Sequence, residues 1–415
     1  GKFLFLAIIF LVSLVCISSV SAADEAVSDV IADTNDDVSN ENLALEESDE
    51  NVLGDEPESE VDDPLINGHF STLNDDINYG SDEVDLKYNY YYEPSIEEDL
   101  DFNGGIAIIR DVTINGNGRI ISGSSQARIF YIPTGISVVL KNINFINGNS
   151  SNYGVLHDDG GAIWVDEGAS CTIINCNFTN NAATYAGAVS GGTVINCTFT
   201  NNTATIAGAF GLGDAINCTF IQNTATENGG AIYEYTETCI ENCTFIQNTA
   251  TYGGAIYDGD ATGCTFTDNT ATEKGGAIYE GIATNCNFTA NNASFGGAIA
   301  HGTATGCTFT ENIAGVHGGA IYEGNATNSN FKSNKALSDG GAIYNSGDIT
   351  FDAGSTATFS GNTASYYGGA IYNDYGTITF GEDSTLTFEN NKANGEKNDI
   401  YNANGTVNIL GTVNS

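Results

Sequence analysis

Apolar and polar positions alternate along most of this chain in short strings rich in Val, Ile, Thr, Phe and Tyr, broken by Gly and Asn. A period of two predicts strands, because residues i and i+2 share one face. One helical spacing stands out. The helical spacing of Phe70, Leu73 and Ile77, with Ser71 and Thr72 as cap candidates, predicts a short amphipathic helix. Strand strings then follow at Val84-Asp85-Leu86, Gly105-Ile106-Ala107-Ile108, Val112-Thr113-Ile114 and Val138-Val139-Leu140.

Beyond these irregular strings the chain repeats itself. The string Gly-Gly-Ala-Ile recurs at Gly160, Gly229, Gly253, Gly275, Gly296, Gly318, Gly340 and Gly368, with degenerate copies at Ala186 and Ala207. A Cys-x-Phe string recurs at Cys176, Cys197, Cys218, Cys243, Cys264, Cys286 and Cys307, in steps of 21 to 25 residues. Three residues after each Phe comes Asn, and two further on comes Ala. Strand-forming residues and Gly corners at this period predict a β-solenoid, an all-β stack of coils at roughly 4.8 Å per rung. Leucine-rich repeats share the period, but their leucine string is missing. Helical repeats need a longer unit.

Equivalent residues then form columns. Phe178, Phe199, Phe220, Phe245, Phe266, Phe288 and Phe309 are expected as an inward core stack, with the Cys beside them. Asn202, Asn223, Asn248, Asn269 and Asn312 are expected as a ladder at a turn, where Asn tolerates a left-handed backbone. Gly-Gly marks another corner. The helix reads as a cap over the first coil. The strand-like string running to Ser415 predicts that the natural protein continues.

The Gly-Gly-Ala-Ile unit paired with Phe-x-x-Asn resembles the repeats of chlamydial polymorphic outer-membrane proteins. The fuller pattern resembles the adhesin-like surface proteins of methanogenic archaea. It runs from Phe70-Ser71-Thr72-Leu73 through Val112-Thr113-Ile114-Asn115-Gly116 and Lys141-Asn142-Ile143-Asn144-Phe145 to the Tyr-ending units. The resemblance implies a right-handed parallel β-helix of the pectin-lyase-like kind, displayed at the cell surface.

The start of the chain changes the picture of location. Lys2, the apolar run Phe3 to Ile17 and the small residues ending at Ala22 read as a secretory signal over 1–22. Residues 23–66 read as an extended acidic linker, with 17 acids between Asp24 and Pro64 and no base. Residues 67–150 hold the cap and irregular first coils, and 151–415 the repeat coils. No second long apolar run follows, so this stretch predicts no transmembrane segment.

Charge narrows the partners. The net charge is -42, with 53 acids against 11 Lys and Arg. That balance excludes nucleic acid and anionic lipid as expected partners, since both need basic side chains. Residues 67–415 carry 36 acids and 10 bases, so the solenoid itself is mildly acidic.

Four features carry candidate chemistry. The residue after Gly-Gly-Ala-Ile forms an aromatic column of Trp164, Tyr233, Tyr257, Tyr279, Tyr322, Tyr344 and Tyr372, with Ala300 as a gap. If Ile points inward, these rings point outward, to bind flat sugar faces or a partner or simply to stabilise the sheet. The next column holds Glu234, Asp258, Glu280, His301 and Glu323. Stacked carboxylates repel, and either solvent or a calcium ion would relieve them. Calcium is the one candidate cofactor. Nine Cys follow Cys16, an odd number. Their even spacing and the swap to Ser329 favour buried thiols over a disulfide framework. N-x-S/T strings at Asn196, Asn217 and Asn242 precede inward Cys and should face solvent.

An irregular cluster of His157, Asp158, Asp159, Asp166 and Glu167 surrounds Trp164, with Arg110, Arg119 and Arg128 before it. It is the best enzyme candidate, because polysaccharide lyases and glycosidases of this fold need paired carboxylates. No Ser-His-Asp string or other catalytic motif accompanies it. The expectation is a non-enzyme: an exported, monomeric, adhesin-like solenoid that binds cell-surface glycans or proteins, from a host or from other microbes, through its lateral faces. A structural stalk or surface-layer component is the alternative, and a polysaccharide lyase or glycosidase a lesser one.

Overall fold

A computed structural model describes residues 67–151, 158–234 and 238–415. The secretory signal and acidic linker expected over 1–66 lie outside the described residues, as does His157. The described residues form a parallel β-solenoid, as the repeat period predicts, and it is right-handed, as the resemblance implies.

One coil shows how the sequence makes the fold. Ile278–Thr284 runs along a first face. Asn285 then turns the chain in a left-handed conformation (φ 54°), and Cys286 points inward. Asn287–Thr289 forms the second face. Ala290 (φ 56°) makes the next turn, and Asn291 points inward. Asn292–Phe295 forms the third face, and the Gly296-Gly297 corner returns the chain to the first. Stacked coils give a 20-stranded Tyr-bearing sheet, a 15-stranded Phe-bearing sheet and a 10-stranded Ala-bearing sheet. Asp348–Phe351, Thr377–Phe380 and Thr406–Ile409 make a small fourth sheet on the last coils.

Register is kept coil after coil. Phe199 pairs with Phe178 and Phe220, Phe245 with Phe220 and Phe266, and Phe309 with Phe288. Their buried rings stack at 4.7 to 4.9 Å, within 8° of parallel. Between Tyr233 and Ile240 the chain is three residues longer than between their partners Gly211 and Ala215, and Ile240 rejoins the register opposite Ala215.

The Asn ladder forms, but not in the conformation expected. The left-handed residue is the one before each ladder Asn: Asn201, Gln222, Gln247, Asp268 and Glu311. Each ladder Asn itself turns its amide inward. Asn223 shows the unit: its backbone N–H and its Nδ2 both donate to Oδ1 of Asn248, at 3.0 Å each. Its Nδ2 also donates to the Phe199 carbonyl of the preceding coil at 3.0 Å. A buried amide is tolerated only when satisfied in this way, so the ladder Asn occupies the core and leaves the strained turn to its neighbour.

The Phe70–Tyr79 helix is present, with Phe70, Leu73 and Ile77 fully buried. Its first turn is capped from elsewhere in the chain. The buried Asp99 carboxylate accepts from the N–H groups of Phe70 and Ser71 at 3.3 and 2.9 Å, while Thr72 bonds back to His69. Among the described residues no helix is long and apolar enough to cross a membrane.

Candidate functional site

The Gly-Gly corner positions the site. An added Cβ at Gly254 would lie 2.1 Å from the Gly276 carbonyl oxygen, so adjacent coils touch backbone to backbone here. Side chains on either side of the corner project past this pinch and line a groove along the solenoid.

One wall is the predicted aromatic column. Ile232, Ile256 and Ile278 face inward with at most 1% exposure, and Tyr233, Tyr257 and Tyr279 point out beside them. Tyr233, Tyr257 and Tyr279 are spaced 5.0 Å centroid to centroid. Tyr322, Tyr344, Tyr372 and Tyr401 continue beyond the gap, and Trp164 stacks on Tyr131 at 4.7 Å. These rings are half-buried, not fully exposed as expected. The physical reason is the register itself: each ring covers its neighbour's face, so edges and hydroxyls meet solvent.

The other wall was missed. It is the residue just before each corner: Ile206, Asn228, Tyr252, Lys274, Phe295 and His317, aligned in register. Its rings lean on the first wall. Tyr252 lies 5.4 Å from Tyr279, Phe295 5.1 Å from Tyr322, and His317 4.4 Å from Tyr344. The fixed offset from Gly-Gly was the available signal. Where this wall carries the smaller Asn228, a recess of about 340 Å³ opens, lined by Glu227, Asn228, Thr251, Tyr252, Tyr257 and Tyr279.

At the Ala300 gap the chain fills its own groove. The His301 ring stands edge-on between Tyr279 and Tyr322, 5.5 and 5.6 Å from their centroids. Its Nε2 accepts from Lys274 Nζ at 3.0 Å, and Nδ1 faces Glu323 at 3.4 Å. Burial and then Lys274 push the imidazole below its usual ionisation range, against the pull of Glu323 and Glu280. The Lys274 ammonium also sits 5.5 Å over the Tyr322 ring. The Tyr279 and Tyr322 hydroxyls are pushed up to about 12 by burial and by Glu280 and Glu323.

The four-carboxylate calcium column is not assembled. Asp258, Glu280 and Glu323 each occupy a left-handed turn (φ 53°, 52° and 51°) beside the Tyr wall. Glu234, at the end of the short Ile232–Tyr233 strand, is instead fully buried. Its Oε1 accepts from the Gly213 N–H at 3.2 Å, its Oε2 has no partner, and burial pushes the carboxyl up to about 8. His301 takes the place between Glu280 and Glu323. Among the described residues no three His, Cys, Asp or Glu side chains are placed to share a metal ion.

The cluster around Trp164 is engaged in holding its coils. Asp166 accepts from the Tyr131 hydroxyl at 3.1 Å and from Thr134 at 3.2 Å. Asp158 accepts from Thr184 at 3.3 Å. Arg128 lies 5.0 Å from the Trp164 ring and donates to the carbonyls of Gly104, Asp159 and Gly160. The thiols of Cys171, Cys176, Cys197, Cys218, Cys239, Cys243, Cys264, Cys286 and Cys307 are free and buried. Asn196, Asn217 and Asn242 are exposed, at left-handed turns.

The right-handed beta helix region family matches residues 102–293. The Chlamydia polymorphic membrane protein repeat matches residues 306–322, 328–346 and 356–374. No curated protein sequence matches the chain. Among solved structures, the mannuronan C-5 epimerase A-module of Azotobacter vinelandii is similar at 13% identity and a TM-score of 0.30, over 80% of this chain and 88% of that one. The catalytic unit of an alpha-1,3-glucanase from Streptomyces thermodiastaticus is similar at 12% identity and a TM-score of 0.33, over 84% of this chain and 67% of that one. A PL6 alginate lyase in complex with a trisaccharide is similar at 11% identity and a TM-score of 0.29, over 85% and 87%.

Proposed function

We propose that this chain is a surface-displayed, adhesin-like protein that works by binding, along the groove beside the Gly-Gly corner. The observation that carries the reading is the recess between Tyr252 on one wall and Tyr257 and Tyr279 on the other. Beside the Tyr252–Tyr279 ring contact the smaller Asn228 leaves room, and Glu227, Asn228 and Thr251 add polar groups to the lining. Concave sites that mix aromatic surface with a few convergent polar groups are the usual form of a ligand site. The secretory reading of 1–22 and the polymorphic membrane protein repeats support display at a surface.

The test is a glycan array and a cell-binding assay with the full chain, beside Tyr252→Ala and Tyr279→Ala. Binding that falls in both variants, with unchanged melting, supports the groove. Binding that survives both would place it on another face. The stalk reading draws on the continuous, self-satisfied inner ladders, and it predicts no binding in either assay. Cleavage of any polysaccharide, abolished by Asp158→Asn with Asp159→Asn, would overturn the non-enzymatic reading.

A further inference from the structure

We propose that the recess lined by Glu227, Asn228, Thr251, Tyr252, Tyr257 and Tyr279 binds an amino sugar, a pyranose unit carrying a free ammonium group. The inference rests on the groove being the binding site and names the chemistry it takes.

The chain itself supplies the precedent. At the rung after Tyr252, the second wall carries Lys274, in register with it. The Lys274 ammonium is drawn into the groove, where it lies over the Tyr322 ring and donates to His301. The groove thus already holds one ammonium group against a tyrosine face. One rung back the same walls present three tyrosines and a carboxylate, with no lysine among the lining residues. Tyr252 is inclined at 60° to Tyr279, so the recess has one ring set across the line of the others. Tyr257 and Tyr279 turn edges and hydroxyls to the recess, so the ring face offered to a cation is that of Tyr252, beside the Glu227 carboxylate.

Charge points the same way. Glu227 lines the recess, and Asp258 and Glu280 follow Tyr257 and Tyr279 directly in the chain. Burial and then Glu280 raise the Asp258 carboxyl above its usual range. Such a site repels uronates and sulfated sugars.

The remaining groups select a sugar over a bare amine. The Thr251 hydroxyl donates to the Thr226 carbonyl at 2.8 Å, which leaves its oxygen as an acceptor. Asn228 offers both a donor and an acceptor, and the Tyr257 hydroxyl stays a protonated donor at neutral pH. A recess of about 340 Å³ exceeds what one lysine side chain would fill.

The experiment is calorimetric titration of the full chain with four probes: glucosamine oligomers, their N-acetylated counterparts, a polyuronate and polylysine. The glucosamine oligomer should bind, and its affinity should fall about tenfold on N-acetylation, about tenfold in Glu227→Gln and more in Tyr252→Ala. Tyr252→Phe keeps the ring and should keep most of the affinity. Unchanged melting of each variant separates a lost contact from a lost fold. Equal binding of the N-acetylated oligomer would overturn the ammonium claim while leaving the groove reading intact. Polylysine binding as tightly per ammonium would overturn the sugar. A polyuronate preference would overturn the charge argument, and no binding by any of the four probes would remove the amino-sugar proposal, while loss of cell and array binding alone would remove the groove reading.

Discussion

The inner ladders and the outer groove are built from the same coils, yet they finish differently. Inside, every rung repeats one solution. Phe stacks on Phe, and each Asn amide answers the amide and backbone of the next coil. Outside, the rungs differ. Tyr gives way to Ala300, Asn228 opens a recess, and Lys274 and His301 fill a gap. Repetition inside is required by burial, because a coil that departs from the pattern leaves a void or an unpaired polar group. Variation outside costs little, so it is there that one coil can differ usefully from the next.

The largest break in this comparison should come from the backbone contact that both sides share. Gly254→Ala would set a Cβ 2.1 Å from the Gly276 carbonyl oxygen and about 2.7 Å from the Thr270 backbone, and no side chain can move to relieve it. The expected outcome is a chain that does not complete its central coils, read as lost cooperative melting and protease cleavage near residue 254. Native-like melting would show that the corner is less rigid than its spacing implies.

Within the core, Asn248→Ala comes next. It removes the acceptor for the Asn223 N–H and Nδ2 and the donor to the Phe220 carbonyl. At roughly 1–3 kcal/mol per buried group left unpaired, a loss of about 4 kcal/mol is expected in urea titration. A loss below about 1 kcal/mol would mean that water replaces the ladder.

Glu234 marks where the two regions meet, an outer-wall residue turned inside. Its carboxyl ionises at about 8 in the fold against the usual 4.5. The folded state therefore keeps a proton that the unfolded chain has released. Its contribution is fully present below about pH 4.5 and is lost as pH rises through about 8. Each unit of difference is worth roughly 1.4 kcal/mol, so the span is a few kcal/mol. Glu234→Gln should flatten this part of the stability profile, with its largest relative gain above pH 8. An identical pH slope in variant and parent would show that the carboxyl reaches water. On the groove itself, Tyr344→Ala removes ring contacts at 5.3 and 5.2 Å and the His317 contact at 4.4 Å. Such pairs are worth about 0.5–1.5 kcal/mol each, so a loss of about 2 kcal/mol in urea titration is expected.

The sequence shows the inner half of the molecule well and the outer half poorly. A column such as Phe245 is legible because burial forces the same residue at the same offset in each coil. The ladder Asn was legible as a column, but not its conformation, because sequence alone does not say which of two adjacent turn residues takes the left-handed backbone. The Tyr wall was found by the same periodicity, and its exposure was overstated because stacking hides ring faces. The opposite wall escaped because its residues, from Asn228 to Lys274 to Phe295, share a place and not a type. Glu234 was misplaced because its burial comes from contact with the neighbouring coil at Gly213, a tertiary effect that no local pattern carries.

The smallest expected effect gives the finest test of why the inside repeats. Cys264 Sγ accepts from the Cys243 N–H at 3.3 Å and lies 3.4 Å from the Thr262 carbonyl. Two coils further on from Cys286, Ser329 makes the same pair of bonds: Oγ accepts from the Cys307 N–H at 3.1 Å and donates to the Thr327 carbonyl at 2.9 Å. If the column exists to satisfy that N–H, Cys264→Ser should cost less than about 1 kcal/mol, while Cys264→Ala, which orphans it, should cost about 1–3 kcal/mol. If the column exists only to fill space, the order should reverse, because alanine keeps the site apolar and serine buries a hydroxyl. Urea titration of the two variants decides between pairing and packing as the reason that this residue is copied from coil to coil.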